Sequence, residues 1–191
     1  MRLHRSISAD LPLLVVALEE EATHLHVTEL SVLVTGVGKV NAAVAVATIL
    51  GEFSPARVIN LGTAGALRAG VSGTQVISRV AQHDLDDSAL FAVTGLHFGA
   101  PIELGGGGPT LTTGDAFISD SATRERLAQQ ADLVDMEAYA IAHAASVAGV
   151  PVTIVKHVSD QAGETAGKSW AASVDECAEQ LGIWVRANVM K

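Results

Sequence analysis

Acidic residues follow several short apolar runs in this sequence. The triplet at residues 19–21 follows one run, Asp135 and Glu137 follow another, and Asp160 ends a third. A single carboxylate at such a place would fit a helix N-terminus, because the helix dipole favours negative charge there. Repeated carboxylates at equivalent places instead predict a polar pocket, where they can accept hydrogen bonds from hydroxyl groups or exchange protons.

Two glycine-rich segments, GVGK at residues 36–39 and GTAGAL at 62–67, also follow apolar runs and are predicted to form turns with free backbone N–H groups. GVGK is not a phosphate-binding P-loop, because its lysine is followed by Val40. It is not a dinucleotide fingerprint either, because Asn41 follows and no third glycine stands in register. Taken alone, GVGK predicts a turn that opens a helix.

The histidines and the cysteine give no standard metal motif. No HExxH occurs among the seven histidines, and the spacing in QHDLDD at residues 82–87 fits no common site. His24 and His26 are expected on the surface, and Cys177 among the core residues of the last helix. We therefore expect no metal and no other cofactor.

The elements that would position these residues alternate along the chain. Alternating strands and helices predict an α/β fold, a single domain over residues 1–191 with a central, mostly parallel sheet flanked by helices. Residues 1–11 are expected to be flexible. Ligands of such sheets bind beyond the carboxyl ends of the strands. Strands are predicted at residues 13–18, 30–36, 57–62, 74–82, 109–114, 132–136 and 152–160, and helices at 39–50, 121–130 (capped by Ser121), 137–148 and 170–189.

Composition excludes several classes of partner. The 191 residues carry a formal net charge of −9, which argues against nucleic acid, and no polybasic run suggests a membrane surface. The apolar run at residues 11–18 is too short to span a bilayer, and no small-residue cleavage site follows it. With one cysteine, no internal disulfide can form, and we expect a cytoplasmic protein.

Six segments in order carry a family resemblance: ALEEEA, TGVGKVNAA, VINLGTAGAL, TTGDAFIS, VDMEAYAIAH and VSDQAG. Over roughly residues 13–185 the chain resembles the nucleoside phosphorylase and nucleosidase superfamily, most of all 5′-methylthioadenosine/S-adenosylhomocysteine nucleosidase. The resemblance implies a single-domain phosphorylase/hydrolase-like fold, shortened between residues 21 and 36 and between 83 and 114. It also implies cleavage of the N-ribosyl bond of an adenine nucleoside.

The resemblance assigns a role to each candidate residue. Asp160 matches the general acid near purine N7, with Ser159 as its orienting neighbour, and Glu21 matches the base that activates water. The Met136 N–H and the Glu137 carboxylate match the groups that hold the ribose hydroxyls, while Asp135 serves mainly to hold the strand end. The remaining positions match the base and sugar pocket. Phe117 matches the residue that stacks on the purine, and the Ile118 backbone matches the one that hydrogen-bonds to the edge of the base. Ala64 and Gly65 match the lining of the base pocket, Val37 a position near the sugar, and Trp170 an aromatic residue that closes the site.

The nucleophile and the 5′ group leave alternatives open. The phosphorylase branch of the family has a glycine and arginine phosphate loop after the first strand, where this chain has glutamates that would repel phosphate. Water is therefore the expected nucleophile, and a phosphate-dependent purine nucleoside phosphorylase is the alternative. Gly163 and Lys156 stand where the family commonly has an acidic residue and an arginine, so a futalosine-type hydrolase and a plain purine nucleosidase stay open. A non-catalytic nucleoside-binding protein would need neither Glu21 nor Asp160.

The segment at residues 83–108 is unusually apolar for a loop. In the resembled family the matching segment crosses to a neighbouring subunit and covers the 5′ end of its substrate. Together with the apolar helices at residues 39–50 and 170–189, it predicts a homodimer. Phe98 or Pro101 is expected close to the pocket of the other chain.

Overall fold

The computed structural model describes residues 1–26 and 28–190. In this part of the chain, ten strands form one mixed sheet and six helices cover it. The elements in chain order are β1 Arg2–His4, β2 Leu13–Val16, α1 Glu19–Ala22, β3 Ser31–Val34, α2 Lys39–Glu52, β4 Val58–Ala66, β5 Thr74–Val76, β6 Arg79–Gln82, α3 Asp87–Thr94, β7 Ile102–Glu103, β8 Thr110–Thr113, α4 Ser121–Leu127, β9 Leu133–Asp135, α5 Ala138–Val147, β10 Val152–Asp160 and α6 Ala166–Asn188.

The strand order is β1-β3-β2-β4-β9-β8-β6-β7, with β10 paired to β4 and β5. The interior pairs β2–β3, β2–β4, β4–β10, β6–β8 and β8–β9 are parallel. Antiparallel pairs lie mainly where short strands join, namely β1–β3, β5–β10, β6–β7 and the short contact of β4 with β9. The predicted α/β fold with a mostly parallel sheet is therefore confirmed. Residues 1–11, the segment expected to be flexible, contain strand β1, which pairs with β3.

Helices bury both faces of the sheet centre, which explains why its strands are apolar on both sides. Side chains alternate along β2, so Leu14 packs in the core layer with Leu181 and Val185 of α6, and Leu13 packs on the opposite face with Ile141 of α5. None of the helices in the described residues is both long and apolar enough to cross a membrane.

The course of β4 differs from the prediction and matters for the site. We predicted a strand ending at residue 62 and a turn at 62–67, but β4 continues to Ala66 because β10 pairs with it as far as Gly65 and β9 pairs with its last two residues. The heads of two neighbouring side chains fill the space above Gly62, where a Cβ would lie 3.1 Å from Glu21 Oε1 and 3.2 Å from Lys156 Nζ. The glycines of this segment therefore make room for polar groups within a continuous strand.

The predictions for residues 74–82 and for α4 are also wrong, and one helix was not predicted. Residues 74–82 form two strands, because β5 pairs with β10 and β6 pairs with β8. Asp120, and not Ser121, caps α4 by accepting a hydrogen bond from Thr123 N at 2.8 Å, and α4 ends at Leu127. Helix α3 was not predicted, because none of its residues is buried and its sequence lacks a core-facing stripe.

Candidate active site

A cavity of about 230 Å³ opens at the carboxyl ends of β2, β4, β9 and β10. All twelve residues that the sequence analysis named as catalytic or substrate-binding line it. The structure thus brings together segments that are more than one hundred residues apart in the sequence. The other lining residues are Ala17, Leu18, Thr63, Ala116, Val134 and Ala162.

Glu21 is fixed by the turn between β2 and α1. It is only 4% exposed, so it is not a solvated residue of the helix start. Its Oε2 accepts hydrogen bonds from Ala17 N at 3.0 Å and Leu18 N at 3.3 Å. Its Oε1 accepts from Thr63 N at 2.9 Å and from Thr63 Oγ1 at 3.2 Å. Of these donors only the Thr63 hydroxyl can rotate, so it is the one that a bound water could replace.

Asp160 lies at an irregularity of β10, where the pairing register with β4 shifts between Val158 and Asp160. Its Oδ2 accepts a hydrogen bond from Ser159 Oγ, and its Oδ1 accepts one from Ala162 N, both at 2.8 Å. A Cβ at Gly65 would lie 3.1 Å from Oδ1, so the glycine lets the carboxyl group approach β4. The carboxyl group is thus held in one orientation at the edge of the cavity.

Asp135 is the centre of a buried polar network. Its Oδ1 accepts a hydrogen bond from Thr113 Oγ1 at 2.6 Å, and its Oδ2 accepts one from Ala138 N at 2.9 Å, at the start of α5. Lys156 Nζ lies 2.9 Å from the same Oδ2, and Lys156 is 1% exposed. Burial by itself would lower the pKa of the Lys156 ammonium, but the Asp135, Glu137 and Glu21 carboxylates outweigh burial and raise it.

Glu137 is as buried as Asp135 but has fewer donors. In the described part of the chain its carboxylate accepts one hydrogen bond, from Gly38 N to Oε1 at 2.8 Å. Gly38 has a φ of 93°, a backbone conformation that favours glycine and that aims this N–H at the cavity. Burial, and then the neighbouring Asp135 charge, raises the pKa of Glu137 to about 7, although Lys156 and the Gly38 N–H act in the opposite direction. The remaining lone pairs can accept hydrogen bonds from a ligand.

Phe117, Ile118 and Trp170 give the cavity its large apolar side chains. Phe117 is half exposed and Ile118 is buried, and both belong to the segment between β8 and α4. Trp170 of α6 donates from Nε1 to Thr63 Oγ1 at 3.0 Å, so the same hydroxyl that contacts Glu21 also holds the indole ring. A flat aromatic group could bind between these apolar surfaces, with its polar edge toward Asp160.

Sequence reasoning missed two side chains of this site. Thr63 was read as part of a turn, although it is the main partner of Glu21. Lys156 was noted only as a replacement for arginine, although it is the cation that balances three buried carboxylates. Its position in an otherwise apolar strand was the available signal, since a lysine is almost never fully buried unless it is paired.

A family model described as the phosphorylase superfamily matches residues 7–103 and 108–185. This chain belongs to the phosphorylase superfamily.

This superfamily member is similar in sequence to curated nucleosidases, as its motifs indicated. A curated 5′-methylthioadenosine/S-adenosylhomocysteine nucleosidase of Chromohalobacter salexigens is 31% identical over 198 residues, covering 88% of this chain and 82% of the relative. The resemblance inferred from the six segments is thereby confirmed.

Two solved structures share the fold of this superfamily member. A futalosine hydrolase mutant of Helicobacter pylori superposes with a TM-score of 0.84 at 20% identity, covering 93% of this chain and 97% of that one. A mutant of the Helicobacter pylori nucleosidase MTAN, with 5′-methylthioadenosine in its active site, gives a TM-score of 0.83 at 21% identity, covering 94% and 98%. The backbone alone therefore does not separate these two kinds of hydrolase.

Proposed function

We propose that this protein hydrolyses the N-ribosyl bond of an adenine nucleoside of the 5′-methylthioadenosine or S-adenosylhomocysteine type and releases adenine. The observation that carries the proposal is that two separately oriented carboxyl groups, Glu21 and Asp160, line the same cavity as Glu137, which has free acceptor positions. The name of the Chromohalobacter salexigens relative supports this substrate class.

The proposed reaction uses four of the residues that line the cavity. Phe117 stacks on the purine and the Ile118 backbone reads its edge. Asp160 gives a proton to N7, so that the base leaves as a neutral molecule when the bond between C1′ and N9 breaks. Glu21 takes a proton from water as the water oxygen bonds to C1′. Two carboxyl groups with water between one of them and the sugar follow the logic of inverting glycoside hydrolysis.

The ribose is held by the turn from β9 into α5. The Met136 N–H and the Glu137 carboxylate bind the 2′- and 3′-hydroxyls, and hydrogen bonds to an ionised acceptor are stronger than neutral ones. Positive charge develops on the sugar as the base leaves, so the attraction of Glu137 increases in the transition state. Asp135 supports this turn without touching the sugar.

Water is the nucleophile in this proposal because the cavity is strongly acidic. Four carboxyl-bearing residues line it, whereas Lys156, which pairs with Asp135 at 2.9 Å, contributes a single positive charge. Phosphate would be repelled unless further cations were present. Incubation with a panel of adenine, inosine and futalosine-type nucleosides, with and without phosphate, tests both questions. Free sugar without phosphate is expected, and strict phosphate dependence with a sugar 1-phosphate product would indicate the phosphorylase alternative.

The variant Asp160→Asn tests the proposed acid. We expect kcat to fall by roughly 10³-fold while nucleoside binding persists, because the amide fills the same space but cannot protonate N7. Asp120→Asn is the matched control, since this residue caps α4 outside the cavity and asparagine caps equally well. Wild-type turnover in Asp160→Asn would refute the assignment, and binding without turnover in the wild type would indicate a nucleoside-binding protein.

We also propose a homodimer that forms through an exposed apolar face on α2 and α5. Val40 and Val44 of α2 are 72% and 61% exposed, and Val147 of α5 is 77% exposed. Ala43, Ala47 and Ala144 line a shallow groove between them, so the face is apolar and uncovered in one chain. Phe98, which is 54% exposed, and Pro101 lie in the segment proposed to approach the cavity of the other chain.

Light scattering at micromolar concentration tests the assembly. Val44→Glu should dissociate the dimer, whereas Leu11→Glu, outside the helices and the segment assigned to the interface, should not, although both side chains are exposed and apolar. A wild-type protein that is monomeric and fully active would show this proposal to be wrong.

The proposed compartment is the cytoplasm. Cys177 is a buried free thiol, which is compatible with a reducing compartment. Fractionation of cells that make the protein tests this location.

A further inference from the structure

Two histidines and one glutamate meet on the surface beside α1. Oxygen and ring-nitrogen atoms of His4, Glu19 and His26 all lie within 4.8 Å of one another. His4 Nε2 is 3.1 Å from Glu19 Oε2, and the rings of His4 and His26 have centroids 4.6 Å apart. None of the three residues lines the cavity, so the nucleosidase chemistry proposed above does not account for them.

The fold brings these residues together from three separate segments. His4 ends β1, whose antiparallel pairing places it opposite Val32 of β3. Glu19 begins α1, directly after β2, which is the next strand in the sheet. His26 lies in the connection that follows α1. The cluster therefore joins an edge strand to the short helix that carries Glu21.

The donor set favours a particular class of cation. Imidazole nitrogen with one carboxylate oxygen suits Zn²⁺, Co²⁺ or Ni²⁺, whereas Mg²⁺ and Ca²⁺ prefer sites made of oxygen alone. A Zn²⁺ ion takes such ligands at about 2.0–2.1 Å and commonly completes its tetrahedron with water when the protein provides three. His26 is exposed, so its ring is free to move the short distance that ligation needs.

We propose that His4, Glu19 and His26 bind a divalent transition-metal ion of the Zn²⁺ class, which fastens β1 to the start of α1. The ion has a structural role at the edge of the sheet and takes no part in bond cleavage. The proposal does not depend on the nucleosidase reaction.

One contact competes with the ion. Arg2 Nη1 lies 2.8 Å from Glu19 Oε1, on the same face of β1 as His4 because residues two apart in a strand share a face. The Arg2 side chain is 68% exposed, so this ion pair is of the solvated kind that contributes little to stability. Metal binding would displace Arg2 toward solvent at small cost.

Titration of the chelator-treated, tag-free full chain with Zn²⁺ by calorimetry tests the proposal. We expect one equivalent to bind the wild type, and the melting temperature to rise by roughly 5 °C at a large excess over the dissociation constant. His4→Ala and His26→Ala should each weaken binding by at least about tenfold. Co²⁺ should bind the same site and give visible d–d bands, and Mg²⁺ should not compete.

His24→Ala is the matched control. His24 and Asp175 also form an exposed histidine–carboxylate pair, with 3.3 Å between Nε2 and Oδ1, but no third ligand joins that pair within residues 1–26 and 28–190. Zn²⁺ affinity should therefore be unchanged in this variant. The proposal is overturned if the wild type takes up no Zn²⁺ at micromolar concentration, or if His24→Ala weakens binding as much as His26→Ala. Equal melting temperatures without metal show that the variants fold.

Discussion

Asp135 and Glu137 stand two residues apart at the same end of the sheet and are almost equally buried, at 6% and 7% exposure. Asp135 is surrounded by the Thr113 hydroxyl, the Ala138 N–H and the Lys156 ammonium. Glu137 receives a single protein hydrogen bond, from Gly38 N, among the described residues. The first carboxylate is already satisfied by the fold, and the second keeps acceptor capacity for a ligand.

The difference teaches that burial alone does not identify a binding carboxylate. What separates the two residues is the number of donors that the protein itself supplies. A satisfied buried carboxylate stabilises the structure, whereas one with few donors carries a desolvation cost that a ligand can relieve. This explains why two acidic residues occur in one short turn.

The largest expected effect is on stability, in the variant Asp135→Asn. Removing this charge leaves the Lys156 ammonium buried without its closest partner, so the free energy of unfolding should fall by about 3–5 kcal/mol. Urea denaturation followed by circular dichroism measures the loss. The double variant Asp135→Leu with Lys156→Met should recover only part of it, because the unpaired ammonium is removed but Glu137 and Glu21 lose the same cation. A single variant as stable as the wild type would contradict the role assigned to Asp135.

The next effect is on catalysis, in the variant Glu137→Gln. The amide keeps the shape but loses the negative charge that we propose binds the ribose hydroxyls and attracts the developing positive charge, so kcat/KM should fall by roughly 10²-fold or more. Steady-state release of adenine measures this. Glu20→Gln, on the exposed side of α1, serves as the control and should retain full activity. Equal losses in both variants would mean that Glu137 has no special role.

The pH dependence follows from the raised pKa of Glu137, about 7. Below that pH the free enzyme carries a protonated Glu137, which accepts hydrogen bonds poorly, so kcat/KM should fall by up to about tenfold per pH unit as the pH decreases from 7. The residual kcat/KM of Glu137→Gln should not show this decrease below pH 7. If kcat/KM of that variant decreased with the same midpoint pH, the titration would belong to another group.

The smallest effect concerns the stability of the unliganded protein. The pKa of Glu137 is higher in the folded state than its ordinary value of 4.5, so the folded state binds the proton more tightly than the unfolded state. Ionisation therefore costs stability, with no cost below about pH 4.5 and the full cost above pH 7. Glu137→Gln should therefore lose less stability than the wild type when the pH rises from 4.5 to 8. Thermal unfolding at both pH values checks the sign.

Much of the fold could be predicted because its strands are apolar on both faces. β10 has the predicted bounds, Val152–Asp160, since its composition and its terminal Asp160 mark both ends. The extension of β4 to Ala66 could not be predicted, because GTAGA has the composition of a turn and becomes a strand only where β10 and β9 pair with it. Helix α3 was missed for a related reason, since an exposed helix leaves no periodic apolar pattern.

The residues that line the candidate site could be predicted from the sequence, but the hydrogen bonds between them could not. The twelve named residues occur in segments whose order and composition indicated a nucleosidase-like pocket, and all of them line one cavity. The partners of those residues were not evident, because hydrogen bonds such as the one from Thr63 N to Glu21 join residues 42 positions apart.

The sequence by itself therefore determined the strand and helix alternation, the family, and which residues stand at the carboxyl ends of strands, because these depend on local composition and order. Only the tertiary structure decided which carboxylate is satisfied and which is free. Asp135 and Glu137 have the same charge and nearly the same sequence context. Their difference comes from Lys156, Thr113 and Gly38, which distant parts of the chain bring to the turn, and in a buried site the nearest donors and charges control how a carboxylate ionises and what it can bind.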